Sequence, residues 1–194
     1  MKIGLFGGAF NPIHLGHIKI AKEAIRQMSL DKLIVIPTGN APHKKETEIT
    51  REHRFNMAQL AFKDDDKIEI SDYELNREEI SYSADTVEHF KKLYPNDELF
   101  FIIGDDSYNN LSMWHEPQRI LSASTLLVFN REGAEILPPA VKINMERIEI
   151  SSSEIRDNIY RGKDFINLLP KSVFNYIIKN NLYKRTEGIR FDGK

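Results

Sequence analysis

The chain has 194 residues, 41% of them hydrophobic, which is enough for one domain with a good-sized core. Its formal net charge of −2 gives no positive excess for nucleic acid or an anionic membrane, so any phosphate recognition should be local. The absence of cysteine excludes disulfides and thiolate metal sites. No apolar run approaches the ~20 residues of a membrane span, and the start has no signal-peptide layout. We therefore expect a cytoplasmic protein without membrane or nucleic-acid partners.

Short apolar runs alternate with helical patterns along the chain. We predict strands at 2–8, 32–37, 67–71, 99–104, 125–130 and 147–151. We predict helices at 14–28, 51–62, 83–94, 151–162 and 170–183. This alternation is typical of βαβ units and predicts an α/β fold, a Rossmann-like, doubly wound, mostly parallel sheet with helices on both faces and a small C-terminal helical subdomain. Residues 1–184 are interpreted as a single domain that includes the C-terminal helical part, 151–183, and residues 185–194 as a charged tail.

Three loops with unusual chemistry leave the predicted strands at Gly7, Thr38 and Gly104. In a doubly wound sheet, ligands bind outside the carboxyl ends of the strands, at the point where the strand order reverses. We therefore expect a site at the edge of the sheet where these three loops gather.

The first of these loops reads GGAFNPIHLGH and has the features of an anion site. Gly7 and Gly8 let a ligand approach the main chain, and His14 and His17 fall on one face of the first helical turn. A helix N-terminus adds unpaired N–H groups and the positive end of the dipole, which favours a phosphate. Zinc is an alternative for a histidine pair, but zinc usually takes three or four protein ligands, so no metal site is expected.

A second phosphate site is predicted at IEISSSEIRDNI, which follows the last predicted strand. Ser151 and Glu154 form a capping box at a helix start, and Arg156, one turn further on, can make a charge-assisted contact to phosphate. A well-capped helix without any ligand is the alternative.

The run GGAFNPIHLGH resembles the GGxFxPxHxGH signature of the nucleotidyltransferase superfamily of cytidylyl- and adenylyltransferases. The resemblance implies that His14 and His17 bind the triphosphate of ATP and stabilise the transition state. It also implies that main-chain groups around Gly7, Gly8 and Phe10 line the nucleotide cleft.

Two more segments are similar to motifs of the same superfamily. ISSSEIR resembles its ISSTxIR motif, which implies that Ser152 and Arg156 contact the triphosphate and that Ile155 backs the adenine. GDD resembles the GxD of adenylyltransferases, which implies that Gly104 lets the ribose approach and that Asp106 binds a ribose hydroxyl. A turn with helix-capping acids is the alternative for GDD.

The segments APHK, SYSADT, GDDSYNNLSMW and PKSVFNYIIKNNLY resemble those of the bacterial nicotinate-nucleotide adenylyltransferase family, nearly throughout the chain. The resemblance implies that the pyridine ring of nicotinate mononucleotide stacks on Trp114. It further implies that the nicotinate carboxylate accepts hydrogen bonds from Thr86 and from N–H groups near His115, and that His43 or Lys44 approaches the phosphate or ribose. Helix capping by Thr86, packing by Trp114 and a merely solvated basic loop are the alternatives.

Three positions depart from that family's pattern. Glu79 stands where glycine is frequent, Ser83 replaces a threonine, and His115 stands where tyrosine is common. These departures concern the pyridine pocket and leave the ATP half of the pattern intact.

The resemblance implies direct transfer of the adenylyl group of ATP to nicotinate mononucleotide in NAD biosynthesis, with Mg²⁺ bound through the ATP phosphates. An enzyme that uses phosphopantetheine and one that prefers nicotinamide mononucleotide are the nearest alternatives. A nucleotide-binding regulator and a plain α/β interaction module are the non-catalytic ones. Oligomeric state stays open, with a homodimer among the alternatives.

Overall fold

The computed structural model describes residues 1–40, 49–129, 135–146 and 149–184. Six strands are present in this part of the chain: β1 (Lys2–Gly8), β2 (Lys32–Pro37), β3 (Ile68–Ile70), β4 (Glu98–Gly104), β5 (Thr125–Phe129) and β6 (Val141–Ile143). They form one sheet in the order β3-β2-β1-β4-β5-β6, and every neighbouring pair is parallel. This is the doubly wound arrangement that the alternation of strands and helices predicts.

The described residues also form seven α-helices, which connect and flank these strands: α1 (Leu15–Met28), α2 (Arg51–Phe62), α3 (Ser83–Leu93), α4 (Asp105–Asn109), α5 (Pro117–Ala123), α6 (Ser152–Tyr160) and α7 (Lys171–Lys179). Short 3-10 helices lie at Leu111–Met113 and Ile166–Leu168. Within the described ranges, none of the helices has the length and apolar character needed to cross a bilayer.

Each face of the sheet carries its own hydrophobic core. On one face, α1, α2, α6 and α7 bury residues such as Ile20, Met57 and Val173 in a single cluster. On the other face, α3 and α5 bury residues such as Val87 and Ile120. The C-terminal helices therefore pack onto the same core as α1, and this brings Ser152 at the start of α6 and Tyr183 after the end of α7 to the loop that follows β1.

The prediction of a strand at 147–151 is wrong for those of its residues that the structure describes. Residues 149–151 form no strand, and residues 147 and 148 lie outside the described part. The sixth strand is Val141–Ile143, which pairs with the end of β5. It has only three residues and two apolar side chains, too few to produce a pattern, whereas Ile150 packs against the first core without strand pairing.

Helix boundaries follow their capping residues closely. Thr50 caps α2, its hydroxyl oxygen accepting from the N–H of His53 at 3.4 Å, and Ser151 caps α6, accepting from the N–H of Glu154 at 3.2 Å. The two short helices α4 and α5 were not predicted, because five and seven residues are too few for a helical period to show.

Candidate active site

A cavity of about 310 Å³ opens at the carboxyl edge of the sheet, where the strand order reverses between β1 and β4. Gly7, Thr38 and Gly104, the ends of three strands, all line it. The predicted convergence of the three loops is therefore confirmed. The residues that line the cavity also include Gly8, Ala9, Phe10, His17, Glu74, Ser81, Ser83, Thr86, Asp106 and Trp114.

The two histidines lie at the start of α1, one directly against the other. His14 is the N-cap residue and is buried, and its backbone N–H donates to Nδ1 of His17 at 3.2 Å. The ring centroids are 3.8 Å apart. A nitrogen that accepts a hydrogen bond cannot carry a proton, so the neutral ring of His17 carries its proton on Nε2. The N–H donor of the His17 ring is therefore on the edge opposite the nitrogen that accepts from His14.

Phe10 fixes the other side of the His17 ring. The two rings meet edge to face, with centroids 5.1 Å apart, and Phe10 is fully buried. Its backbone lies in the left-handed region, with φ of 45°. A Cβ on Gly8 would lie 2.9 Å from the Phe10 ring, so any other residue there would displace this buried ring. Gly8, Phe10 and His17 therefore form one packed unit at the cavity wall.

The C-terminal helical part binds the turn that precedes His14. Ser152 donates from its hydroxyl to the carbonyl of Pro12 at 2.9 Å, and Arg156 donates from Nη1 to the carbonyl of Asn11 at 2.7 Å. The hydroxyl of Tyr183 donates to Oδ1 of Asn11 at 2.7 Å, in a buried setting. Residues predicted to touch the triphosphate thus hold the histidine turn in place.

Ile155 and Arg156 differ in what they present to the site. Ile155 is fully buried in the first core, among side chains of the sheet and helices. Arg156 is half-buried, and its Nη2 donates to Oγ of Ser153 at 3.3 Å. The structure therefore places Arg156 beside the histidine turn, and Ile155 in the packing beneath it.

The end of β4 combines a glycine with two acids. A Cβ on Gly104 would lie 2.4 Å from Oδ1 of Asp106 and 3.3 Å from the ring of Phe129. Asp105 is buried, and its Oδ1 accepts from the N–H of Asp106 at 3.1 Å. Asp106 itself is exposed and lines the cavity. The two acids have separate places, Asp105 in the protein interior and Asp106 at the ligand-accessible wall.

The opposite wall of the cavity is formed by α3 and the segment after α4. Trp114 is half-buried, lines the cavity and meets the ring of Phe101 edge to face at 6.4 Å. Thr86 is buried and donates from its hydroxyl to Oε1 of Glu74 at 2.7 Å. The hydroxyl proton of Thr86 is therefore used in its hydrogen bond to the carboxylate of Glu74.

His115 lies beside this wall and is exposed. Its ring packs on that of Tyr82 at 4.1 Å, and its Nε2 is 3.1 Å from Oε2 of Glu116. Among the described residues that line the cavity, Trp114 is present and His115 is not. His43 and Lys44 lie outside the described residues, as does the charged tail at 185–194.

Sequence reasoning missed two buried charges next to the cavity. Arg54 on α2 is 2% exposed and donates from Nη1 to the carbonyl of Ala9 at 2.8 Å and from Nη2 to that of Thr38 at 2.6 Å. Burial lowers the pKa of Arg54, but a guanidinium stays charged at neutral pH. Glu74 is 6% exposed and lines the cavity. Arg54 shares a helix face with buried Met57 and Ala58, a signal that could have marked it as buried.

Metal ligands are sparse in the described ranges. They contain no group of three or more His, Asp or Glu side chains placed to hold an ion. A metal at this site would therefore need most of its ligands from a bound substrate and water.

The sequence is similar to a family model and to named bacterial proteins. Residues 5–158 match the model described as cytidylyltransferase-like. A protein of Borrelia garinii subsp. bavariensis, named "Probable nicotinate-nucleotide adenylyltransferase", is 43% identical over 193 residues, which cover 97% of this chain and 98% of that protein. A protein of Carboxydothermus hydrogenoformans with the same name is 40% identical over 197 residues, covering 94% of this chain and 98% of that protein.

Two solved structures share the fold. Plasmodium falciparum nicotinic acid mononucleotide adenylyltransferase complexed with NaAD has a TM-score of 0.81 at 24% identity and covers 94% of this chain and 97% of that one. The same protein complexed with APC has a TM-score of 0.77 at 23% identity, covering 94% and 96%. At these identities the likeness shows the architecture alone.

Proposed function

The chain belongs to the cytidylyltransferase-like family, and from that premise we propose that it transfers the adenylyl group of ATP to nicotinate mononucleotide. The products are nicotinate adenine dinucleotide and pyrophosphate. One observation carries the proposal: a single cavity is lined by His17 of the phosphate-binding turn, by Gly104 and Asp106, and by Thr86 and Trp114. The groups suited to a nucleotide and those suited to a pyridine ring thus face one space.

The ATP half of the site lies at the start of α1. His17 offers the N–H of Nε2, and His14 stacks on it from the buried side. The N-terminus of α1 adds its positive dipole end. Arg156 stands beside the same turn with its fixed positive charge. Together these groups favour the triphosphate, while Gly104 and Asp106 receive the ribose.

The reaction needs no general base. A 5′-phosphate oxygen of nicotinate mononucleotide attacks the α-phosphorus of ATP, and the bond to the bridging oxygen of pyrophosphate breaks in line with that attack. The attacking phosphate is already an anion, so the protein acts by positioning and by stabilising charge. We assign His14, His17 and Arg156 to the phosphates on which negative charge accumulates.

Mg²⁺ fits this site as part of the ATP complex. The described residues offer no cage for it, and a magnesium ion on a nucleotide keeps phosphate oxygens and water as ligands. When bound, the ion neutralises phosphate charge. The protein residues supply the remaining positive potential through His17 and Arg156.

The acceptor half of the site lies between Trp114 and the start of α3. The indole face of Trp114 suits a pyridinium ring. Because the hydroxyl of Thr86 donates to Glu74, the donors for the nicotinate carboxylate come from the free N–H groups in the first turn of α3, where Ser83 lines the cavity. Backbone N–H groups near His115 are proposed as further donors to the carboxylate, and His43 or Lys44, in the sequence after β2, is proposed to approach the phosphate or ribose of the mononucleotide.

An acceptor comparison tests the function. The purified protein is incubated with ATP and Mg²⁺, and with nicotinate mononucleotide, nicotinamide mononucleotide or phosphopantetheine in turn. Dinucleotide is measured by chromatography and pyrophosphate by a coupled assay, with the His17→Ala protein as a control for contaminating activity. We expect the largest kcat/KM with nicotinate mononucleotide. Equal or faster turnover of another acceptor would refute the assignment, and no pyrophosphate with any of them would refute adenylyl transfer.

A further inference from the structure

Arg54 and Glu74 hold opposite sides of one peptide group. Nη2 of Arg54 donates to the carbonyl of Thr38 at 2.6 Å, and the N–H of Gly39 donates to Oε2 of Glu74 at 3.0 Å. The carbonyl and the N–H of a trans peptide point in opposite directions. The peptide between Thr38 and Gly39, at the end of β2, is therefore fixed between a buried cation and a buried anion.

Each of these charges makes a second contact, and the two contacts reach opposite walls of the cavity. Nη1 of Arg54 donates to the carbonyl of Ala9 at 2.8 Å, in the turn that carries Phe10. Oε1 of Glu74 accepts from the hydroxyl of Thr86 at 2.7 Å, on α3. A continuous series of hydrogen bonds thus runs from the turn after β1, through the end of β2, to the first turn of α3.

The contact to Ala9 also sets a main-chain donor. Because the Ala9 carbonyl points to Arg54, the N–H of Phe10 on the same peptide points away from Arg54. Ala9 and Phe10 line the cavity, whereas Arg54 is buried behind them. Arg54 therefore determines how this turn presents its N–H group.

Such a network acts as a unit for physical reasons. Both charged groups are buried, and the hydrogen bonds to them are charge-assisted, so losing any one leaves a costly unsatisfied group. In a low-dielectric setting each bond polarises the next. Burial lowers the pKa of Arg54, and the charge of nearby Glu74 opposes that effect in small part.

We propose that Arg54 and Glu74 are positioning residues that couple the ATP half of the site to the acceptor half through the peptide between Thr38 and Gly39. Neither residue needs to touch a reacting atom. Because both charges hold the same peptide, a change at either residue alters the geometry of both halves of the site. The proposal rests on the proposed function only for the identity of the acceptor.

The test measures the effect of each residue on the distant substrate. Arg54→Gln, Glu74→Gln and the double variant are compared with wild type, with Glu88→Gln as the matched control. Glu88 is a carboxylate of α3 itself, but its side chain is bound by Arg119 of α5. Affinity for a non-hydrolysable ATP analogue is measured by calorimetry, KM for both substrates by steady-state kinetics, and folding by thermal melting.

The expected result is a crossed effect. Glu74→Gln weakens binding of the ATP analogue about fivefold, although Glu74 lies on the acceptor side, and Arg54→Gln raises KM for the acceptor by a similar factor. For each substrate, the loss of affinity in the double variant should be about that of the more strongly affected single variant. Substitutions within one network are not additive. Glu88→Gln leaves all these values unchanged.

Two results overturn the proposal. One is that each substitution affects only the substrate nearest to it; the other is that the double variant shows the product of the two single effects. The ATP-analogue measurement needs no acceptor, so it decides the coupling even if nicotinate mononucleotide proves to be the wrong substrate. Should Arg54→Gln fail to fold, Arg54→Lys keeps the buried charge with one contact, and the same crossed loss is expected.

Discussion

His17 combines two roles that substitution can separate. Its Nδ1 accepts the backbone N–H of His14, which caps α1, and its Nε2 carries the proton that we assign to the phosphates. Asparagine places a side-chain oxygen near the position of Nδ1 but has no group at Nε2. Glutamine places an amide N–H near the position of Nε2 but has no acceptor near Nδ1. His17→Asn therefore keeps the cap and loses the donor, and His17→Gln does the reverse.

The magnitudes follow from these two contacts. Loss of the donor, in His17→Ala and His17→Asn, should lower kcat by about 10²–10³, as for other preorganised donors to a transition state. Loss of the cap, in His17→Ala and His17→Gln, should cost about 1 kcal/mol of unfolding free energy. For a chain of this size that corresponds to a melting temperature lower by about 2–4 °C. The kcat of His17→Gln should be about tenfold higher than that of His17→Ala.

The assay pairs pyrophosphate release at saturating ATP with thermal melting of the same four proteins. The order expected for activity is wild type, Gln, then Asn together with Ala. The order expected for stability is wild type together with Asn, then Gln together with Ala. If His17→Asn were as active as wild type, or melted with His17→Ala, the assignment of the proton to Nε2 would be wrong.

Three further substitutions test other contacts. Gly104→Ala places a methyl group against Asp106. In steady-state assays KM for ATP should therefore rise about tenfold, which corresponds to the loss of one charge-assisted hydrogen bond, while kcat changes little. Tyr183→Phe leaves Oδ1 of Asn11 without its buried donor and should cost about 1–3 kcal/mol in denaturant unfolding, with a raised KM for ATP. Burial and two nearby cations lower the pKa of His89 below its ordinary value of 6.5, so the folded state binds fewer protons than the unfolded one. The melting temperature should fall from pH 7 to pH 5, and it should fall less in His89→Gln; an equal fall in both proteins would contradict this.

The parts of the fold that the sequence predicted are those with local signals. α1 has an apolar stripe at helical spacing, with Ile20 and Ala24 buried, and α2 and α6 begin at Thr50 and Ser151 as capping rules require. β6 could not be found, because three residues carry no period and its place is decided by pairing with β5. A short strand whose position depends on pairing with a neighbouring strand cannot be predicted from its own composition.

The same distinction applies to the cavity. Its location followed from three loops and a rule of parallel sheets, and Gly7, Thr38 and Gly104 do line one space. Arg54 and Glu74 were not predicted, because their partners are main-chain groups and one hydroxyl from distant segments. Every residue has a main-chain carbonyl and most have an N–H, so hydrogen bonds to these groups cannot be predicted from the pattern of side chains.

Arg156 shows that a predicted ligand and a structural contact need not exclude one another. A guanidinium has five N–H donors, and the described contacts of Arg156 use one for Asn11 and one for Ser153. Three remain for a phosphate on the same side of the turn. The carbonyl of Asn11 lies three residues before His14, so the bond to it places Arg156 beside the turn that carries the histidine pair. In the function that we propose, this same bond lets Arg156 act with His17 on one phosphate chain.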